Sequence, residues 1–255
     1  MSQVVYKKED HIAIVSIDRP EALNALSRSI VDEIDKIIDE IQADPDIRCV
    51  VLHSDKNFAA GADIKGMAEC NEEEAKAFSF TPTFNKIEKM PLPVIAAIEG
   101  YALGGGMEFA LTADIRIAGK TAKMGFPEVT LGIFPGAGGT IRAPRICGEA
   151  FAKELIFTGD AVSADRALQM GLVNQVVEEG EALAAAMKMA GRIAKRGPVA
   201  VRMAKDVVTR GIQEPDMEKA IEIETKAWPK LFRTEDQKEG MRAFIEKRKP
   251  VYQNK

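Results

Sequence analysis

Val94-Ile95-Ala96-Ala97-Ile98-Glu99-Gly100-Tyr101-Ala102-Leu103-Gly104-Gly105-Gly106-Met107-Glu108 is the most unusual stretch of this chain. Pro91 and Pro93 introduce it, and the five apolar residues that open it read as a strand buried on both faces. The triple glycine follows, a helix is predicted from there through Thr112, and residues 114–118 return as a strand. Strands that alternate in this way with helices argue for an α/β fold with mostly parallel pairing.

The same grammar runs outward in both directions. Residues 12–17 are apolar on nearly both faces, and so are 49–52, which predicts two more buried strands. Between them Ile30, Ile34, Ile37, Ile38 and Ile41 recur at helical spacing, with Ser27 as N-cap and Pro45 as the stop. Residues 54–63 form a loop of small residues, and a polar helix is predicted over 72–89. Strand signals fade after 174–177. Four helices are predicted over 181–195, 198–211, 215–231 and 235–249. The shift near residue 195 divides the chain into an α/β core, 1–195, and a helical C-terminal segment, 196–255.

Composition narrows the function classes. With 255 residues, 46% hydrophobic and 29% charged, the chain can bury a sizeable core as one large domain. A net charge of −4 does not offer the basic face that phosphate neutralisation requires, so no nucleic-acid partner is expected, although Lys247, Arg248 and Lys249 form a local basic run. Cys49, Cys70 and Cys147 are far apart and form no CxxC pair, which predicts reduced, buried thiols. The first eleven residues are too polar for a signal peptide, and no run reaches the roughly 18 apolar residues of a membrane span. A cytoplasmic protein is expected.

Elimination then guides the chemistry. His11 and His53 flank strands and belong to no HExxH or CxxC ligand set, so no metal site is expected. No GxSxG elbow exists for a serine triad. Leu103-Gly104-Gly105-Gly106 lacks the G-x-G-x-x-G spacing, and no G-K-[ST] follows a glycine run, which disfavours nicotinamide and ATP enzymes. What is left is a glycine-rich turn into a helix with Glu108 about one turn further on. Backbone N–H groups at such a helix start can bind a developing oxyanion, and glycine allows the close approach. The plainer alternative is that the glycines only permit tight packing and that Glu108 is a solvated first-turn acid. Glu128, after Pro127 and between Phe126 and Val129, is either a first-turn acid or a carboxyl whose proton affinity is raised by apolar neighbours. Two acids, no histidine base and a backbone anion site suit proton transfer beside a carbonyl or addition of water to a conjugated one.

These residues also carry a resemblance. Arg19-Pro20-Glu21-Ala22-Leu23-Asn24-Ala25-Leu26, Ala59-Ala60-Gly61-Ala62-Asp63-Ile64-Lys65, the stretch from Gly100 to Glu108, Phe126-Pro127-Glu128 through Pro135-Gly136-Ala137-Gly138-Gly139-Thr140, and Gln237-Lys238-Glu239-Gly240-Met241-Arg242-Ala243-Phe244 resemble the enoyl-CoA hydratase/isomerase (crotonase) family. The motifs keep their order along essentially the whole chain.

The resemblance implies an α/β fold, a crotonase-like spiral of ββα units, with a C-terminal helical segment that mediates trimer formation, and a homotrimer or dimer of trimers. It implies an acyl-CoA thioester substrate and no cofactor, coenzyme A being part of the substrate. The thioester oxygen falls to the amides of Ala62 and Gly105, and water and protons fall to Glu108 and Glu128. Ala22, Ala60, Asp63, Ile64, Lys65, Gly106, Pro135, Gly136, Phe244 and Lys247 are the implied substrate contacts, the last two from the C-terminal helix, in the same subunit or across a subunit boundary. Met67, Phe78, Phe80 and Phe84 are candidate linings of an acyl pocket, with core packing as the alternative for each. Both glutamates together favour a hydratase, reversible addition of water to trans-2-enoyl-CoA. An isomerase or another crotonase-fold acyl-CoA lyase is the alternative.

Overall fold

The structure, a computed structural model, describes residues 2–255. Strands β1 (Val4–Glu9) and β2 (Ile12–Ile17) form a hairpin, helix α1 (Arg28–Ala43) crosses over, and β3 (Cys49–His53) returns parallel to β2. Helices α2 (Glu72–Phe78) and α3 (Thr81–Glu88) lead to β4 (Val94–Ile98), which runs directly into β5 (Tyr101–Leu103) and α4 (Gly105–Ala110). β6 (Ile115–Gly119) and β7 (Lys123–Gly125) repeat that step and are followed by a 3-10 turn at Pro127–Leu131. Then come α5 (Gly139–Cys147), α6 (Glu149–Thr158), β8 (Val162–Ser163), α7 (Ala164–Gln169) and β9 (Gln175–Val177). Four helices' worth of chain ends the molecule: α8 (Ala182–Ala194), α9 (Pro198–Gln213), α10 (Met217–Ala227) and α11 (Glu235–Ile245).

The large sheet has the order β1-β2-β3-β4-β6-β9, parallel except for the first pair. Its central strands are apolar on both faces because both faces are covered. Val50 and Leu52 of β3 and Val94, Ala96 and Ile98 of β4 join the core beneath α1 and α3, while Cys49, Val51, Ile95 and Ala97 point the other way. That second face is closed by α8, whose Ala182, Ala186, Ala190 and Ala194 recur every fourth residue and are small enough to let the helix lie close. Glu99, buried beside Gly119, accepts from the Ala182 amide and so caps α8 from the sheet.

The small sheet, β5-β7-β8, makes the fold a spiral. At β4–β5 and again at β6–β7 the first strand joins the large sheet and the second the small one. Gly100 makes the turn between them, with φ +54° and a place where a Cβ would lie 2.1 Å from the Lys56 carbonyl oxygen. Single parallel bridges, Ala59 with Ala102 and Leu26 with Ala62, extend this layer to residues 59–62.

Several elements differ from expectation. β1 is an exposed-edge strand whose polar second half, Lys7 to Glu9, hides the period. β5, β7 and β8 have three residues or fewer, too short to show one. The helix expected over 72–89 is two helices. Pro82 lacks an N–H and its ring would strike the Phe78 carbonyl, so the chain breaks at Ser79, whose carbonyl accepts from Arg28 at 2.7 Å. Pro229 likewise turns the end of the helix expected over 215–231 into a separate 3-10 turn, Trp228–Arg233. The last helix stops at Ile245, and Lys247 has φ +55°. Beyond α8 the chain is tied back by polar bonds: Arg48 donates to the Ala194 and Tyr252 carbonyls, and Lys205 donates to Leu92 and pairs with Asp114.

Gly106, expected at the substrate, instead lets α4 touch its neighbour. A Cβ there would fall 2.0 Å from the Ala59 carbonyl oxygen, a backbone atom that cannot move away cheaply. Gly106→Ala is therefore expected to cost at least about 2 kcal/mol of stability, read as a lowered midpoint in urea. An unchanged midpoint would refute the close approach.

Candidate active site

The start of α4 brings Gly104 and Gly105 to the wall of one cavity. Gly104 is the N-cap, with φ +49° and ψ −123°, and its amide donates to the Gly125 carbonyl. Gly105 begins the helix. A Cβ on Gly105 would lie 3.4 Å from the Ala62 nitrogen, which puts the two residues side by side. Neither the Ala62 nor the Gly105 amide donates to any of the described residues, although Leu26 and Asp63 bond on either side of Ala62. Gly105 opens α4, so the partial positive charge of a helix start adds to its unused amide, with the Ala62 amide beside it.

The loop that carries Ala62 is held from the N-terminal motif. Arg19 pairs with Asp63 at 2.9 Å and donates to the Ala25 carbonyl. The buried Asn24 accepts from the Arg19 amide and donates to the Asn57 carbonyl. Asp63 also caps the 3-10 turn Ile64–Gly66 through the Lys65 amide. Thus Asp63, expected at the substrate, is engaged with Arg19. Reading the sequence missed Arg19 and Asn24 as the residues that hold this loop, because they lie nearly forty residues from it.

The cavity, roughly 290 Å³, is lined by Ala62, Gly105, Glu108 and Glu128 together. Of the other expected contacts Ala60, Ile64 and Gly136 also line it, as do Met67, Phe78 and Phe80. Ala22, Lys65, Pro135, Phe244 and Lys247 do not. Lys65 is exposed, Pro135 packs on Gly139, and Phe244 lies on α11 with its ring in the open. Phe84 belongs to the core, in a run of rings from Phe78 through Phe80, Phe84 and Phe109 to Phe58 with centroids 5.3–5.8 Å apart. Trp228 is exposed and stacks edge-on with Phe232.

The two carboxyls have unlike surroundings. Glu108 is 3% exposed, and its Oε1 accepts from the amides of Ala137 and Gly139, each at 2.7 Å. Burial raises its pKa, and the Gly139 and Ala137 amides and the Arg142 charge oppose that rise. Glu128 sits against Gly104, where a Cβ would fall 2.9 Å from its Oε1. Its Oε2 is buried with no hydrogen-bond partner among the described residues. Burial, opposed by its own amide and reinforced by the nearby Glu108 charge, pushes Glu128 up to about 7. Two donors oppose the rise at Glu108, while Glu128 can hold a proton near neutral pH.

The chain is similar to known proteins along nearly its whole length. Residues 7–255 match the family model described as enoyl-CoA hydratase/isomerase. The chain is 46% identical to the short-chain-enoyl-CoA hydratase of Clostridium acetobutylicum, over 98% of this chain and 97% of that one. It is 44% identical to the crotonyl-CoA hydratase of Syntrophomonas wolfei, over 99% and 98%. The crystal structure of the enoyl-CoA hydratase from Bacillus anthracis superposes with a TM-score of 0.96 at 40% identity, covering 99% of this chain and all of that one. The chain belongs to the enoyl-CoA hydratase/isomerase family and has the crotonase fold.

A carboxyl that is protonated when folded and ionised when unfolded makes stability fall with pH. Between the ordinary glutamate value of 4.5 and about 7, the native protein keeps a proton that the unfolded chain has released. Glu128→Gln is therefore expected to melt above the parent at pH 8, with the gap closing toward pH 5. A gap that does not change with pH would show that Glu128 titrates normally.

Proposed function

We propose that this protein is an enoyl-CoA hydratase that reversibly adds water, syn, across the double bond of a trans-2-enoyl-CoA to give a 3-hydroxyacyl-CoA. The observation that carries the reading is the meeting, in one cavity, of two amides without partners among the described residues and two glutamates, one buried and one half-buried, held in opposite ways.

The thioester carbonyl oxygen lies at the Ala62 and Gly105 amides. These donors favour the enolate oxygen over the carbonyl it comes from, and a single such donor is typically worth about 3–4 kcal/mol. One water lies between the acids. Glu108, oriented by Ala137 and Gly139, takes a proton from the water as its oxygen bonds to C3. Glu128 gives its proton to C2, where the enolate electron pair closes the new C–H bond. The sum is one water added, and the next water carries the proton from Glu108 back to Glu128. Because both acids hold that water, hydroxyl and proton arrive on the same face of the alkene. The activation comes from the thioester itself, and no cofactor takes part in the proposed steps.

The remaining parts of the reading follow the same chemistry. Met67, Phe78 and Phe80 surround the acyl end, and the coenzyme lies along Ala22, Ala60, Ile64 and Lys65. The apolar side chains left in the open on α9 to α11, such as Val208, Ile212 and Ile221, support residues 196–255 as an oligomerisation segment of a trimer or a dimer of trimers. Phe244 and Lys247 reach coenzyme A from a neighbouring subunit in this reading. Three free cysteines fit a reducing, cytoplasmic setting. Fatty-acid breakdown or synthesis of short acyl thioesters would use such an enzyme.

Crotonyl-CoA is expected to lose its conjugated absorbance on addition of the protein. Glu128→Gln should lower kcat by about 10²–10⁴-fold while thioester binding survives. Conjugated product from a 3-enoyl-CoA, with no hydration of crotonyl-CoA, would make the protein an isomerase instead.

A further inference from the structure

Arg142 is a buried cation that does not line the cavity. From α5 its Nη1 donates to the Ala137 carbonyl at 3.0 Å. Its Nη2 donates to Asn85 Oδ1 at 2.7 Å and to Glu88 Oε2 at 2.8 Å, both on α3. Residue 137 is therefore held on both sides, its carbonyl by Arg142 and its amide by Glu108. The turn is shaped around the guanidinium. Gly138 has φ +107°, and a Cβ on it would fall 2.0 Å from Arg142 Nη1. Thr81 Oγ1, at the start of α3, makes a second link to the same turn through the Gly136 carbonyl at 3.4 Å.

We propose that Arg142 is a positioning residue for Glu108: it fixes the turn at 136–139 against α3, so that the Ala137 and Gly139 amides keep the carboxylate aimed into the cavity. This rests on the hydratase reading only for the choice of assay. Stability is a poor reason for such a group. A buried ion pair is often no better than apolar packing, and Arg142 Nε has no partner among the described residues. The geometry gives a better reason. The guanidinium is a planar fork that can hold a carbonyl on one nitrogen and two α3 acceptors on another, which a lysine ammonium cannot do in the same geometry. Its charge also favours the ionised form of Glu108, opposed by Glu128 across the cavity.

The test compares Arg142→Met with Arg142→Lys in two measurements. In the first, kcat and KM for crotonyl-CoA are referred to folded protein, counted by binding of acetoacetyl-CoA. With Arg142→Met, kcat is expected to fall by about 10²-fold, the cost of misplacing a reacting group by an ångström. KM should stay within about threefold, because no substrate contact is lost. Arg142→Lys should recover part of kcat. In the second, carbon-13 spectra of labelled glutamate follow the Glu108 carboxyl, assigned with Glu108→Gln; Arg142→Met should move its titration to higher pH. Parental kcat per folded molecule, or KM rising in step with a falling kcat, overturns the proposal. If Arg142→Met does not fold, Asn85→Ala and Glu88→Gln carry the same test, with a smaller loss in kcat at constant KM expected and parental kcat overturning it. If the parent does not hydrate crotonyl-CoA, the hydratase reading fails, and the Glu108 titration alone decides the role of Arg142: a move to higher pH supports it and an unmoved titration overturns it.

Discussion

The contact between the start of α4 and residues 59–62 is the constraint on which the rest of the site depends. Two peptide nitrogens from segments more than forty residues apart can converge on one point only if nothing but hydrogen stands between the chains. Gly106 meets the Ala59 carbonyl and Gly105 meets the Ala62 nitrogen at distances that leave no room for a side chain in the first case and little in the second. Backbone geometry thus sets Gly105 beside the Ala62 amide. The spiral supplies the frame, because the bridges Leu26–Ala62 and Ala59–Ala102 join residues 59–62 to β5 and to the N-terminal motif.

Chemistry then follows from unequal treatment of two similar residues. Glu108 and Glu128 are both glutamates, both withdrawn from water, and both face the same cavity. Two amides satisfy one oxygen of Glu108, whereas an oxygen of Glu128 is buried with no partner among the described residues. Burial favours the neutral form of both, and only at Glu108 do two donated hydrogen bonds and the Arg142 charge oppose it. Their mutual repulsion widens the difference, since the two cannot both be charged without cost. One residue type thus yields two acids with unlike surroundings in one cavity.

Much of this was legible along the chain, and the exceptions have physical causes. β3 and β4 declare themselves because both their faces are buried, so apolar residues run without interruption. The small sheet does not, since strands of two or three residues are held by their neighbours and carry no period of their own. The broken helix at 79–80 shows a local rule overriding a pattern: the polar run continued, but Pro82 could not. At the site, the triple glycine and the two acids stood out because their residue types are unusual in their setting. Arg19, Asn24 and Arg142 did not. Each acts through a partner far away in sequence, and an arginine or asparagine seen alone has many ordinary uses.

By itself the sequence determined the alternation of buried strands and helices, the glycine turn, the two candidate acids, and, through its ordered motifs, the family. Those features are local, set by residue type and spacing over a few positions. Only the tertiary structure decided that Ala62 and Gly105 are neighbours with free amides, that Glu108 is clamped while Glu128 is not, and that Gly106 serves packing. Such properties depend on which distant segments are brought within a few ångströms, and on how much water is left between them.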